Sequence, residues 1–224
     1  MQQEPSVQEQ AQVLNQSRAA APAVNKVLRN TYTLLAATIA FSAVTATISM
    51  AINLPYMGLW MLLPYFALLF AVEKTKNSGW GLVWTFALTG FMGLTLGPIL
   101  NFYLSMSGPE PIILSLAGTA LIFFSLSGYI LVTKKDLSFM TGFLMTGMIV
   151  AFVAAIANVF LQIPAMSLVI SGMFMILCSG IIMWQTSAII HGGETNYISA
   201  TVTLYVMLYN LFTILLSFLG GRDE

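Results

Sequence analysis

The chain carries very little charge. Of its 224 residues only 7% are Asp, Glu, Lys or Arg, with eight of each sign, whereas a soluble domain carries about 25%. Hydrophobic residues make up 58%, and the mean hydropathy is +0.87. So few charges cannot cover a water-facing surface, which argues against a soluble enzyme and against a disordered chain. The net charge of zero also argues against a nucleic-acid binder, because that function needs clustered Lys and Arg.

Reactive side chains are equally scarce. The one cysteine, Cys178, excludes an intrachain disulfide framework and a cysteine-rich zinc site. No Asp, Glu, Lys, Arg or His lies within the long apolar stretches, and charges at such depth are usually functional. Protease motifs and phosphate-binding glycine loops are absent from the sequence as well. We therefore predict a protein that is not an enzyme and that needs no cofactor or metal.

Seven apolar stretches are long enough to cross a bilayer, for which about 20 residues are needed. Lipid satisfies no backbone polar groups, so each stretch should be a closed helix. The alternation of a barrel strand is missing, and we predict an all-α bundle of seven transmembrane helices. The first connector, at Asn53, is barely long enough for a hairpin. The predicted spans are Tyr32–Ile52, Leu54–Val72, Trp80–Leu104, Ile112–Thr133, Phe139–Leu161, Met166–Ile190 and Tyr197–Leu219.

The distribution of basic residues predicts the orientation. If the N-terminus is cytoplasmic, seven of the eight Lys and Arg residues lie on the cytoplasmic side and only Arg222 lies outside. Because basic residues are retained in the cytoplasm, we predict a cytoplasmic N-terminus and a periplasmic C-terminus in a bacterial inner membrane.

The N-terminal segment differs in composition from the rest of the chain. Residues 1–25 are rich in Gln, Ala, Ser and Pro and contain no sustained apolar run. We predict a flexible cytoplasmic tail over residues 1–25, followed by a membrane domain over residues 26–224. A short amphipathic helix over residues 8–20 remains an alternative.

Two features inside the third span could bend it or pack it. Pro98 removes one backbone hydrogen bond and leaves the carbonyl of Leu94 without its helical partner. Gly97 precedes it, and Gly93 lies one turn earlier in a spacing that permits close helix approach. Gly97 and Pro98 are thus candidates for a hinge, with packing inside the bundle as the favoured alternative.

Four polar side chains lie within the last two spans. Gln185 is in the sixth, and Tyr205, Tyr209 and Asn210 are in the seventh. An amide in hydrocarbon must find a partner, so hydrogen bonding between helices is the simpler explanation. A polar path or binding pocket is the alternative. The only histidine, His191, precedes two glycines and is predicted to cap the sixth helix, with a pH sensor as the rival role.

Several motifs together resemble the Bax inhibitor family, in particular its bacterial YccA-like branch. The resemblance extends from about Lys26 to Leu219, and its most specific part is the segment before the last span. The segments that carry it are Lys26–Tyr32, Gly97–Asn101, Lys134–Phe139, His191–Ile198 and Tyr209–Phe212.

The resemblance implies a fold, a location and a partner. It implies a seven-helix bundle with the last helix at its centre, which would place Asn210 in the interior. It also implies an inner-membrane protein that associates with the membrane protease FtsH and restrains its proteolysis. The expected partners are thus FtsH and the lipid bilayer, with no nucleic acid, while the oligomeric state is left open.

Other members of the family are proposed to leak calcium under proton control, and here the sequence departs from their pattern. Those members carry two acidic residues at positions that are Gln185 and Met207 in this chain. Two close buried carboxylates can share a proton, which Gln and Met cannot do. A cation leak or a small-solute pathway therefore stands as the alternative function, and a membrane scaffold as a third.

Overall fold

A computed structural model describes residues 7–221 of the chain, with side chains from residue 22 onward. Within that part the fold is all-α, as predicted, and seven helical segments are long and apolar enough to cross a membrane. Two 3-10 turns, Gly58–Met61 and Ser138–Met140, precede the second and fifth helices. The helices are α1 (Val7–Ala51), α2 (Leu62–Thr75), α3 (Gly79–Ser107), α4 (Glu110–Thr133), α5 (Thr141–Leu161), α6 (Pro164–Ile190) and α7 (Tyr197–Gly220).

The last helix is the centre of the bundle. It packs against α1, α2, α3, α4 and α6, while α5 packs on α6 at the periphery. Leu204, Leu211 and Leu216 of α7 are fully buried. The most extensive helix pair is α1 with α3. The central position that the resemblance implied for the last helix is therefore confirmed.

The second span begins later than predicted. The prediction started it at Leu54, but the chain leaves α1 after Ala51 and becomes helical again only at Gly58. Asn53 and Gly58 both adopt positive φ, at 50° and 56°, which ends regular helix on either side of the connector. Pro64 consequently lies in the first turn of α2, where a proline breaks no helical hydrogen bond.

The first helix begins well before its membrane span. It starts at Val7, so residues 7–25 are helical and continuous with the span. None of residues 22–30 is buried, and Thr31 is the first buried residue among the side chains that the structure describes. The helix from residue 22 to residue 30 is therefore at most half-buried against the bundle. Residues 1–6 lie outside the described part, and the flexibility of the tail and its boundary at residue 25 stay predictions.

The loops with Lys and Arg lie at one end of the bundle, which we call the basic end. It consists of the start of the first span and the α2–α3, α4–α5 and α6–α7 loops. Hydrogen bonds join these loops: Asn196 Nδ2 donates to the carbonyl of Lys76 at 3.0 Å, and Ser187 Oγ donates to that of Lys135 at 2.8 Å. The basic residues at this end are Lys26, Arg29, Lys74, Lys76, Lys134 and Lys135.

Candidate functional site: the contacts that hold the first and last helices

The interface between α1 and α3 depends on three glycines of α3. Gly90, Gly93 and Gly97 are all buried. A Cβ on Gly90 would lie 2.6 Å from Cε1 of Phe41, and a Cβ on Gly93 would lie 2.9 Å from Oγ of Ser42 and closer still to its backbone oxygen. Real Cβ atoms do not approach other atoms so closely, so the two helices can be this near only because α3 carries glycine there. The small-residue spacing of α3 therefore serves packing within the bundle.

The proline of α3 is matched by a serine of α1. Because Pro98 has no N–H, the carbonyl of Leu94 loses its helical partner. Ser49 Oγ donates to that carbonyl at 2.7 Å, and a Cβ on Gly97 would collide with the Ser49 side chain. Gly97 and Pro98 thus lie in a tight contact in which the carbonyl that the proline leaves free is bonded by Ser49. This geometry favours packing over a hinge, and hinge motion stays a prediction.

A double-mutant cycle at this contact tests the assignment. We expect Ser49→Ala to lower the free energy of unfolding by about 1 kcal/mol, because the Leu94 carbonyl is left without a donor. In a Pro98→Ala background the new N–H of residue 98 can bond that carbonyl, so the same Ser49→Ala change should cost much less. The measurement is reversible unfolding in mixed micelles of mild detergent and SDS, and additive losses would contradict the contact.

The two tyrosines of α7 are bonded to neighbouring helices. Tyr205 is 4% exposed, and its hydroxyl donates to Ser42 Oγ at 2.6 Å and lies 3.2 Å from the carbonyl oxygen of Thr89. Tyr209 is half-buried, with its hydroxyl 2.8 Å from Oγ1 of Thr95. Tyr205 therefore links α7 to both α1 and α3, and Tyr209 links it to α3.

The two amides behave differently from the tyrosines. Asn210 is half-buried and its Nδ2 donates to the carbonyl of Val206, one turn back in α7, at 2.9 Å. The expected bond between helices is thus replaced by a bond within the helix. Gln185 is 2% exposed, and its Nε2 has no hydrogen-bond partner among the described residues. Thr31 Oγ1 on α1 is buried in the same unpartnered state within that part of the chain.

Gln185 and Met207 occupy the interior of the bundle. Met207 is 9% exposed and packs in the apolar core. Neither side chain can carry a charge, so the pair cannot share a proton as two carboxylates would. In the described part of the chain, no three His, Cys, Asp or Glu side chains come together in a metal-binding group. Of the four polar side chains predicted in the last two spans, only the two tyrosines bond to other helices.

The segment between α6 and α7 ends the first of these helices and caps the start of the second. His191 ends α6, with Nδ1 2.9 Å from the carbonyl of Ser187, and Gly192 follows with φ of 75°, as expected of a helix stop. Glu194 accepts the backbone N–H of Asn196 at 2.8 Å. Asn196 then caps α7 by accepting the N–H groups of Ile198 and Ser199. The same Asn196 also bonds the α2–α3 loop, so this segment holds the start of α7 against that loop.

A serine ties the α4–α5 loop to α6. Ser187 Oγ donates to the carbonyl of Lys135 and accepts the N–H of Leu137 at 3.0 Å. In the same loop Asp136 Oδ1 accepts the N–H of Ser138 at 2.8 Å. This backbone hydrogen bond lowers the pKa of the Asp136 carboxyl below its usual value. Hydrogen bonds therefore hold the α4–α5 loop to α6 and the α2–α3 loop to Asn196 at the basic end.

Sequence reasoning identified Tyr205 of α7 but missed the serines that join one element to another. Ser42 of α1 bonds Tyr205, Ser49 of α1 bonds the Leu94 carbonyl, and Ser187 of α6 bonds the α4–α5 loop. Serine is too common in apolar helices to be noticed by type alone. A usable signal existed in the spacing. Ser42 and Ser49 are seven residues apart, two turns along one face of α1, and they contact Gly93 and Gly97 of the facing helix.

Comparisons with known proteins agree with this arrangement. The family described as "Inhibitor of apoptosis-promoting Bax1" matches residues 24–224 of the chain. The chain is 54% identical over 202 residues to the protein of Escherichia coli K12 named "Modulator of FtsH protease YccA", covering 89% of this chain and 92% of that protein. The same identity and coverage hold for the "Inner membrane protein YccA" of Escherichia coli O6:H1.

A further relative extends the match across the whole length. The chain is 50% identical over 222 residues to an uncharacterized protein of Pseudomonas aeruginosa, covering 97% of this chain and 100% of that protein. The similarity therefore includes the segment before the first span and does not stop at the membrane helices.

Proposed function

This chain belongs to the family described as "Inhibitor of apoptosis-promoting Bax1", and on that premise we propose that it is a non-enzymatic inner-membrane regulator that associates with the protease FtsH and restrains it. The observation that carries the proposal is the 54% identity, over 92% of its length, to the Escherichia coli protein named as a modulator of that protease. The named activity of that relative is regulation, and the predicted spans of this chain contain no Asp, Glu, Lys, Arg or His.

The structure supports a physical mechanism for restraint. A protease that pulls a membrane protein from its N-terminus must first extract α1. That helix is held to α3 through Ser49 and the glycine contacts, and to α7 through the Tyr205–Ser42 bond and a 3.2 Å bond from Thr201 to the carbonyl of Thr31. These contacts must break together, so extraction is slow and the protease remains engaged. Slow extraction occupies FtsH and lowers its turnover of other substrates.

The mechanism requires the N-terminus to face the protease in the cytoplasm. The six basic residues of the basic end support that orientation, because Lys and Arg are retained on the cytoplasmic side. The C-terminus would then be periplasmic after seven crossings. We expect alkaline phosphatase fused after Glu224 to be active, since it folds only in the oxidising periplasm. An inactive phosphatase with an active cytoplasmic reporter at the same site would contradict the orientation.

Reconstitution tests the function directly. Purified FtsH and this protein are placed in liposomes with a membrane substrate that FtsH degrades, and the substrate half-life is measured with ATP present. We expect it to lengthen as this protein is added and FtsH to co-purify with it. An unrelated seven-helix membrane protein at equal concentration is the control. An unchanged half-life together with no co-purification would refute the proposal.

The alternative function, a calcium or proton leak, has its own test. Because Gln185 and Met207 cannot ionise, any calcium flux through the wild type should show no titration step near neutral pH. The double variant Gln185→Asp, Met207→Asp should gain such a step, since two buried carboxylates share a proton. The measurement is calcium flux into dye-loaded liposomes between pH 6 and 8. A steep pH-dependent leak in the wild type would contradict this expectation and favour the leak.

A further inference from the structure

An apolar groove separates α1 from α4 on one side of the bundle. Both helices pack on α7 but share no extensive contact with each other. The cavity between them has a volume of about 600 Å³, within the size range of small-molecule sites. Ala43 of α1 and Ala120 of α4 lie on its walls, and Leu208 and Phe212 of α7 form its floor. We call this feature the α1–α4 groove.

The groove is closed at the basic end and open at its side. At the basic end the ring of Tyr32 packs on that of Phe123, with centroids 5.9 Å apart. Towards the other end Leu96 and Leu100 of α3 line it beside the start of α4. Its rim includes Ile39, which is 43% exposed, and other exposed apolar side chains of α1 and α4. The opening is therefore continuous with the lipid-facing surface of the bundle.

The chemistry of the lining decides which occupant fits. Carbon atoms dominate the walls, and the Tyr205 hydroxyl at the floor is already bonded to Ser42. Such a cavity does not attract water, which needs several polar partners. No charged side chain lines it, so it offers nothing to an ion.

The length of the groove separates a lipid chain from a helix. Along α1 it extends from Tyr32 to Thr47, which is about 22 Å at 1.5 Å per residue. A transmembrane helix of a partner would have to continue through both ends, because the hydrocarbon core is about 30 Å thick. The Tyr32–Phe123 contact closes the basic end to such a helix. An acyl chain comes from the side and ends within the membrane, so it needs no exit.

We propose that the α1–α4 groove binds one acyl chain of a membrane phospholipid, which completes the packing between α1, α4 and α7. The bound chain fills the gap beside the two helices that carry the Tyr32–Phe123 contact. The headgroup stays at the bilayer surface, because the groove provides no partner for it.

Photolabelling in nanodiscs tests the proposal. The discs contain phosphatidylethanolamine and phosphatidylglycerol, with a small fraction of phosphatidylglycerol that carries a diazirine on one acyl chain. Leu208 and Phe212 are only 8% and 7% exposed, so bulk lipid reaches them only through the groove. After irradiation, mass spectrometry should find adducts on these α7 residues. Adducts on Val153 of α5, which is 59% exposed, provide the reference for bulk lipid.

Matched tryptophan variants make the result specific. Ala43→Trp and Ala120→Trp should each lower the α7 adducts by about fivefold relative to Val153, because an indole ring fills much of the cavity. Ala40→Trp and Ala117→Trp are the controls, since those exposed alanines lie on the same helices outside the groove; they should leave the ratio unchanged.

Three outcomes would overturn the proposal. The first is an absence of α7 adducts in the wild type while Val153 is labelled. The second is an equal loss of α7 adducts in groove and control variants. The third is labelling of α7 in discs with one copy that disappears in discs with two copies, which would assign the groove to a second copy of the chain.

Discussion

Gly93→Leu is expected to destabilise the protein by about 3 kcal/mol or more, and to shorten its lifetime in membranes that contain FtsH. Overpacking a tight contact costs about 1–3 kcal/mol even for a few added methylenes. At Gly93 the Cβ alone would meet the backbone of Ser42, which cannot move aside as a flexible side chain can. The branched side chain would therefore push α1 away from α3 and break the Ser49–Leu94 and Tyr205–Ser42 bonds with it.

The comparison variant is Gly172→Leu in α6. A Cβ at Gly172 has no atom within 4 Å, so the same side chain should be tolerated there with little change in stability. Both variants are measured by unfolding in mixed micelles and by a chase in cells with and without FtsH. Faster loss of the Gly93 variant only in the presence of FtsH would connect the hold on α1 to resistance to extraction. If the two variants unfold alike, the α1–α3 contact does not dominate the stability of the bundle.

The helices and their number could be predicted because a bilayer imposes them. Apolar stretches of about 20 residues can satisfy their backbone only as helices, and the absence of charge from Tyr197–Gly220 left no other reading of α7. The error at the start of the second span arose where local turn chemistry competed with hydrophobicity. Residues 54–57 are apolar enough to continue a span, but Asn53 and Gly58 adopt positive φ and stop the helix.

The pairing of helices could not be predicted from one sequence. In a soluble protein, hydrophobic periodicity identifies the face of a helix that packs on its neighbours. In a membrane the lipid-facing side of a helix is apolar as well, so the periodicity does not identify the neighbouring helices. Pro98 leaves the carbonyl of Leu94 without its helical partner, and nothing in the sequence identifies the donor as Ser49, 45 residues earlier in the chain. Asn210 was misjudged for a related reason. A carbonyl one turn back lies within reach of its amide, and a local bond needs no second helix.

The groove between α1 and α4 could not be predicted from the sequence either. Ala36 and Ala43, which line it, and Ala37 and Ala40, which do not, are all exposed alanines of one helix. Nothing in their identity or spacing distinguishes a residue beside a cavity from a residue against bulk lipid. The distinction arises only when α1 and α4 are both placed on α7 with a gap between them. A groove that exists because two helices do not touch therefore leaves no pattern in the sequence, and only the structure reveals it.

A variant that starts at Lys26, with a new initiator Met, is expected to insert normally but to be degraded several times more slowly by FtsH. None of residues 22–30 is buried, so removing residues 1–25 takes no side chain out of the described core. On the proposed orientation those residues are the longest cytoplasmic segment outside the bundle, and an ATP-driven protease needs an accessible end to begin pulling. The short segment after Gly220 would lie on the other side of the membrane and could not replace it.

The shortened protein should therefore accumulate but restrain FtsH less per copy than the full-length chain, because the protease no longer has an end at which to engage it. A version with residues 2–25 in scrambled order keeps the length and composition, and it should be degraded like the wild type if accessibility is what matters. The measurement is a chase of the three versions in strains with and without FtsH. Equal half-lives of the full-length and shortened chains in both strains would remove the tail from the mechanism. Since extraction would then not begin at this end, the hold on α1 could no longer explain the restraint of the protease.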